Sequence, residues 1–515
     1  MSKNSSPYIN VNTLPKENFG NVRFYALENG RIIKEAFLNC FDIVVKEGVC
    51  GGRKVVFAKC DGLTDSQKII EGITKPMLHF EGDLPKNDTL AFISREIICS
   101  TEVKLEKSLD LAIENLLRGC VLVFVDGVEE CITVGMQRIP GRSIDSPDYE
   151  VQENGSREGF VEILKTNLTL VRKRMVTVNF KVEVTEIGVS TKTKVAICYM
   201  EGKVKESVLE EVKNRLNSIK MDTLLGETYL RKALDTKQKT MFTMVGKTER
   251  PDTMCAKINE GKIAILIDGT PYALIVPRLF VENFQTFDDY LNRPYYAAFM
   301  RSIRMLSFII SVFLPGVFVA IGLFHQELLP EKMLYNIVVM ESNTLFTLTV
   351  EALIIHFIYE IVREAGLRVP KSIGHAVSIV GALVIGDAAV TAGLIDAPML
   401  IVVAMTAITS LVETDLYHAI AVLRIVFIIV GGISGLFGIM IGAAVLIINL
   451  SSVENYGVFF LSPLAPYNKS LFRDTITRLS MGKLGKNIFN INKLGNPGDE
   501  KLSTEKATEI ETKNE

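Results

Sequence analysis

Two rhythms of apolar and polar residues divide this chain near position 300. Upstream of it, short apolar runs alternate with helical spacings. Val55-Val56-Phe57-Ala58, Val121-Leu122-Val123-Phe124-Val125, Val195 to Met200 and Ile263 to Ile267 predict buried strands. Two of them stop at the turn dipeptides Asp126-Gly127 and Asp268-Gly269. Helical spacing marks Ser66–Met77 and Ser108–Leu117, where Leu109, Ile113, Leu116 and Leu117 share a face. It recurs over Val204–Ile219 and over Phe160–Arg174, with Ile163, Leu164, Leu168 and Val171 on the apolar side. Residues 140–156 hold two prolines and two glycines among charges and mark a linker. The expectation is a disordered arm over 1–30, one α/β subdomain over 31–150 and a second over 157–290.

Downstream, the apolar runs lengthen and charges thin out. A helical multi-span membrane domain is expected over 297–452, with spans near 303–324, 373–394, 398–414 and 420–450. The last exceeds one straight crossing, which implies tilt or extension beyond the bilayer. Residues 344–359 are short and carry Glu351 and His356, so an interfacial or re-entrant helix fits them better than a lipid-facing span. Arg293, Arg301 and Arg304 precede the first span, and six Lys and Arg between Lys469 and Lys493 follow the last, against Asp474 alone. Both ends are therefore expected on the cytosolic side, with a basic, then disordered tail over 463–515. Four crossings satisfy this but leave Arg363, Arg368 and Lys371 outside. The alternative makes 335–362 a true crossing and splits the long last segment.

Composition narrows the function classes. A formal net charge of -2 over 515 residues gives no electrostatic footprint for nucleic acid. No apolar targeting run opens the chain, so no cleaved secretory signal is expected. All eight cysteines precede the first span without C-x-x-C spacing, as free thiols in a reduced compartment would. Gly246-Lys247-Thr248 lacks the upstream glycine of a phosphate loop, because position 241 is Met. His79 stands alone in the soluble part, and no nucleophile or metal-ligand spacing is visible. Neither an enzyme nor a cofactor is expected. Ionisable residues at membrane depth are the functional candidates: Asp387 first, then Glu351 and Glu413, for an ion pathway. Glu413 or Asp415 is expected to pair with Arg424 across a short turn, and Glu360 with Arg363 within one helix. Gly431, Gly435, Gly438 and Gly442 fall along one helix face, for close packing, a narrow pore or a subunit contact.

Several longer motifs, in order, carry a family resemblance. They are Asp61-Gly62-Leu63-Thr64-Asp65, Ser156-Arg157-Glu158-Gly159-Phe160-Val161-Glu162 and Thr248-Glu249-Arg250-Pro251-Asp252. Asp268 to Leu274 with Asp288-Asp289-Tyr290, Arg363 to Pro370 and Ser462 to Pro466 complete the set. From about Asp61 to Pro466 the chain resembles the A subunits of spore germinant receptors, the GerA family. That resemblance implies a protein of the spore inner membrane, working beside a transporter-like B subunit and a lipoprotein C subunit. It also implies a homo-oligomeric channel that releases ions when nutrient is sensed. Asn154-Gly155-Ser156, Asp387 and Phe459 depart from the family pattern. A secondary transporter, or a scaffold that conducts nothing, are the other classes. The first predicts internal repeats with matching broken helices, and the first and last spans show no such duplication.

Overall fold

Strands buried on both faces need helices above and below them, and the upstream half is built that way twice. A computed structural model of the chain describes residues 19–85, 88–138, 147, 150, 152, 155–332, 334–335, 339, 344–368, 386–467 and 474–476. In the first unit, helix α1 (Ala26–Ala36) leads into strands β1 (Ile43–Cys50) and β2 (Arg53–Cys60). Helical turns between Ser66 and Ile97 follow, then β3 (Val103–Glu106), α2 (Leu109–Leu117), β4 (Cys120–Val125) and β5 (Cys131–Gly135). The antiparallel sheet runs β1-β2-β4-β5-β3. Val55, Phe57, Val121 and Val123 meet the helical turns on one face, while Val56, Ala58, Leu122 and Phe124 meet α1 and α2 on the other.

The second unit repeats this plan. Helix α3 (Leu164–Arg174) precedes β6 (Phe180–Ile187) and β7 (Thr193–Met200). Next come α4 (Glu206–Asn217), α5 (Glu227–Leu234), β8 (Gly246–Thr248), α6 (Pro251–Asn259), β9 (Ile263–Ile267) and β10 (Ala273–Val276). The sheet order, β6-β7-β9-β10-β8, matches the first unit strand for strand. The likeness reaches single bonds. Asp126 Oδ1 accepts from the backbone N–H of Ala26 at 2.7 Å, and Asp268 Oδ1 from that of Leu164 at 3.0 Å. One turn into each helix, Asn29 and Asn167 accept from the backbone N–H of Arg23 and Val161, three residues before the helix start. Each turn aspartate thus holds the start of its own unit's first helix.

A buried ion pair joins the units. Arg172 of α3 donates to both carboxylate oxygens of Asp42, at 2.7 and 2.9 Å, and a third of its donors reaches the carbonyl of Phe180 at 3.1 Å. Phe41 and Val182 pair through their backbones beside it.

Four longer helices follow: α7 (Pro294–Phe324), α8 (Leu348–Arg368), α9 (Ala397–Val412) and α10 (Tyr417–Ser452). α10 is not one rod. Gly435 takes φ 61° and ψ -154°, a backbone region that only glycine enters readily. A β-carbon placed on Gly442 would lie 2.8 Å from the Phe427 ring, whereas fifteen residues of unbroken helix would hold the two about 22 Å apart. The chain reverses at Gly435 into two legs of about 26 Å each. One tilted span over 420–450 is therefore replaced by a hairpin.

The four glycines consequently do not form one helix stripe. Gly431 packs on the backbone of Gly316 in α7, Gly435 makes the turn, and Gly438 and Gly442 let the return leg lie on Val430 and Phe427 of the outgoing leg. α8 also differs from the short interfacial helix expected. It spans 21 residues, about 31 Å, and buries Leu348, Glu351, Ala352, Ile355 and His356 against its neighbours. Of the span expected at 373–394, residues 373–385 lie outside the described residues; 386–391 are helical. Residues 1–18 and 477–515, most of the expected arm and tail, also lie outside them. Helix α1 begins at Ala26, inside the stretch expected to be disordered.

Candidate functional site

Among the described residues the helical region meets the second unit through an aromatic plug and an arginine clamp. Phe242, Phe280 and Phe284 pack with Phe308 of α7, and with Leu416, Leu423 and Leu450 near the two ends of the α10 hairpin. Arg301 is fully buried and donates to Asp289 at 2.9 Å and to Asp474 at 3.1 Å. Arg304 donates to both oxygens of Asp289. The arginines that mark topology in the sequence are thus structural ties as well.

Beside that clamp lies a cleft of about 280 Å³, walled by Glu150 and Gln152, the second unit and the turn between α9 and α10. The turn supplies Glu413, Thr414 and Asp415. α9 ends at Val412, so Glu413 sits outside the helix and against the α/β unit. Its carboxyl is buried, one oxygen has no hydrogen-bond partner, and burial pushes its pKa up to about 8. Glu150, across the cleft, accepts from the Thr248 hydroxyl at 2.6 Å and from the Glu249 N–H at 3.2 Å. Burial raises its pKa too. Asp415 pairs with Arg278, just beyond β10, at 2.6 Å.

A second charged cluster lies among the helices. Glu360 of α8 accepts from Tyr417 at 2.7 Å and from Arg424 at 2.8 Å with one oxygen, and its other oxygen lies 3.8 Å from Arg363. The Arg363 guanidinium stacks over the Tyr417 ring. Arg424 is buried with its Nε and Nη1 lacking partners. One turn before Glu360, His356 Nδ1 donates to the Ala352 carbonyl at 2.8 Å. That leaves Nε2 buried without a hydrogen-bond partner. Glu351 lies deeper, accepting from the Asp396 N–H at 3.4 Å, while Asp396 caps α9 through Met399.

The sequence-derived pairings divide accordingly. Glu360 and Arg363 do pair within their helix. Neither Glu413 nor Asp415 reaches Arg424, because Asp415 is held by Arg278 and Arg424 by Glu360. The three pathway candidates do not converge. Glu351 contacts the start of α9 and Glu413 follows its end, about 24 Å along the axis. Asp387 is exposed in the helical stretch 386–391. Gly246-Lys247-Thr248 is the edge strand β8 and cradles no phosphate loop. No spacing or motif in the sequence assigns a role to Arg278, Glu150 or Tyr417. Asp289 carries a signal only within Asp288-Asp289-Tyr290, a motif without an assigned role.

Known proteins match the chain over most of its length. A family model described as Bacillus/Clostridium GerA spore germination protein matches residues 31–487. Spore germination protein KA of Bacillus subtilis is 37% identical over 443 residues, covering 85% of this chain and 81% of that protein. The uncharacterized membrane protein YfkQ of the same organism is 32% identical, covering 88% of both. The crystal structure of the N-terminal domain of the A subunit of the Bacillus megaterium spore germinant receptor GerK3 aligns with a TM-score of 0.41 and 28% identity. It covers 50% of this chain and 97% of that one.

Proposed function

The chain belongs to the GerA spore germination protein family, and on that premise we propose that it is the membrane-embedded A subunit of a spore nutrient-germinant receptor. In this reading it sits in the spore inner membrane with both ends in the cytosol. It assembles with copies of itself and with a transporter-like B subunit and a lipoprotein C subunit. Its work is to pass ions when the complex is triggered, without catalysis or cofactor.

One observation carries the membrane part. Large apolar side chains stand exposed along the helices, among them Ile401, Ile408, Ile433, Phe437, Met440 and Ile448, each at least 65% accessible. Such a belt is far more apolar than a water-facing surface tolerates. α8 and both legs of α10 are each about as long as the roughly 30 Å hydrocarbon layer or a little shorter, and α7, at about 46 Å, is long enough to extend beyond it. The start of α7 and the end of α10 both lie against the second α/β unit, through Arg301–Asp289 and through Asn449 with Thr240. Both ends on one side agrees with the lysines and arginines at each end. Glu360 meets Tyr417 at the start of α10, so Arg363 also lies toward the α/β side. Splitting the last segment and counting α8 as a crossing thereby removes the charge conflict of the four-span scheme.

Support for conduction comes from ionisable groups at helix depth, Glu351 and the Glu360–Arg424 cluster, and from exposed Asp387. The test is ion efflux from liposomes holding the full-length protein with its partner subunits. Triggered, non-saturating efflux that falls several-fold in Glu351→Gln or Asp387→Asn fits a channel. Saturable coupled exchange would identify a carrier, and absence of flux a scaffold.

A further inference from the structure

We propose that the cleft beneath the second α/β unit binds a small organic cation of the primary-ammonium class, held between the carboxylates of Glu413 and Glu150. The cations that line the cleft are already engaged. Arg278 is bound to Asp415, Arg304 to Asp289 and Arg250 to Asp252, Lys257 and Lys262 share Glu282, and Lys247 lies over the Tyr272 ring at 4.8 Å. An anionic guest would have to draw one of these cations out of its present contact.

Acceptors, by contrast, are left over. Glu413 is 97% buried, lines the cleft and has one carboxylate oxygen with no donor. The side-chain oxygen of Gln152, in the same lining, is likewise buried without a donor. Glu150 receives only a hydroxyl and a backbone N–H, and no lysine or arginine forms an ion pair with it among the described residues. A buried carboxylate without a cation is unfavourable by itself, and a charged N–H donor is the chemistry that satisfies it.

A bare metal ion fits less well. Among the described residues no three Asp, Glu, His or Cys side chains come together as ligands. The volume of about 280 Å³ suits a guest of several heavy atoms. An extended amine offers several N–H donors to acceptors contributed by separate parts of the lining. Such a guest would touch Glu150 and Gln152, the second unit and the α9–α10 turn at once. It would therefore bias their relative positions, provided it binds one arrangement better than another. The site stands whether or not the helices conduct ions.

The test is calorimetric titration of the detergent-solubilised full-length protein with putrescine, choline and succinate. Putrescine is expected to bind saturably at one site. Choline, which lacks N–H donors, should bind at least tenfold more weakly, and succinate should give no heat. Glu413→Gln should weaken putrescine at least tenfold while the melting temperature stays level or rises. Thr253→Phe, which fills the cleft wall and leaves every charge in place, should block binding by sterics and carries the test if Glu413→Gln does not fold. No saturable putrescine binding, binding unchanged in the folded variant, or a preference for succinate would each overturn the proposal.

Discussion

The two α/β units share a strand order, a helix order and the side-chain bonds that pin their first helices, yet among the described residues it is the second that packs on the helical region. In the first unit the chain leaves β5, and most of the stretch 139–154 that follows lies outside the described residues. In the second it leaves β10 and runs directly into Arg278, the Phe280–Phe284 turn and the Asp289 clamp. Identical wiring therefore does not mean identical duty. The segment that leaves the last strand decides which unit bears load, while the Arg172–Asp42 pair makes the first unit a partner to the second.

The largest effect should come from cutting that link. Arg172→Met leaves Asp42 buried without a partner and should destabilise the protein by about 3–5 kcal/mol. The double variant Arg172→Met, Asp42→Leu should recover most of the loss in urea unfolding. Two separate transitions in the parent protein would instead mean that the units are independent, and the comparison would fail.

Next in size is the hairpin. Gly435→Val forces a β-branched residue into a glycine-only conformation, at about 1–3 kcal/mol, with Phe324 and His325 already within 3.0–3.2 Å of the new β-carbon. Hydrogen exchange should quicken in α10 while β4 of the first unit keeps its protection. Loss of protection in β4 would show that strain crosses both units.

Glu413 gives a pH test confined to the second unit. Arg304, Arg278, Asp415 and Asp289 surround it, but burial dominates and its folded pKa of about 8 exceeds the usual glutamate value. The folded state then binds more protons than the unfolded one between about pH 4.5 and 8, so stability falls as pH rises through that window. Glu413→Gln should flatten this slope. An unchanged pH profile would remove Glu413 as the titrating group. Smallest are the paired turn bonds. Asp126→Ala and Asp268→Ala should each cost about 1 kcal/mol, equal and additive because the sites are far apart. A marked inequality would weaken the case that the two turns do the same work.

Much of this was legible in the residues. Runs such as Val121–Val125 and Ile263–Ile267 declared strands covered on both faces, and Asp-Gly after each declared the turn. Neither the duplication nor the reversal of α10 could be read there. The repeat resides in bonds such as Asp126 to Ala26 and Asp268 to Leu164, which different sequences can make equally well. At Gly435 the glycine spacing fits a continuous helix, and it takes the backbone angles there and the packing of Phe427 against Gly442 to tell the two apart.

Local pattern thus determined the kinds of element, their rough limits, the division near residue 300 and, through ordered motifs, the family. Partners were decided by the assembled chain. Arg172 meets Asp42 across 130 positions, Arg278 meets Asp415 across 137, and Arg424 prefers Glu360 to the nearer Glu413. Periodicity is a property of neighbouring backbone angles and survives in any context. A buried charge takes whichever opposite charge the fold brings within about 3 Å after desolvation, and that depends on every element packed around it.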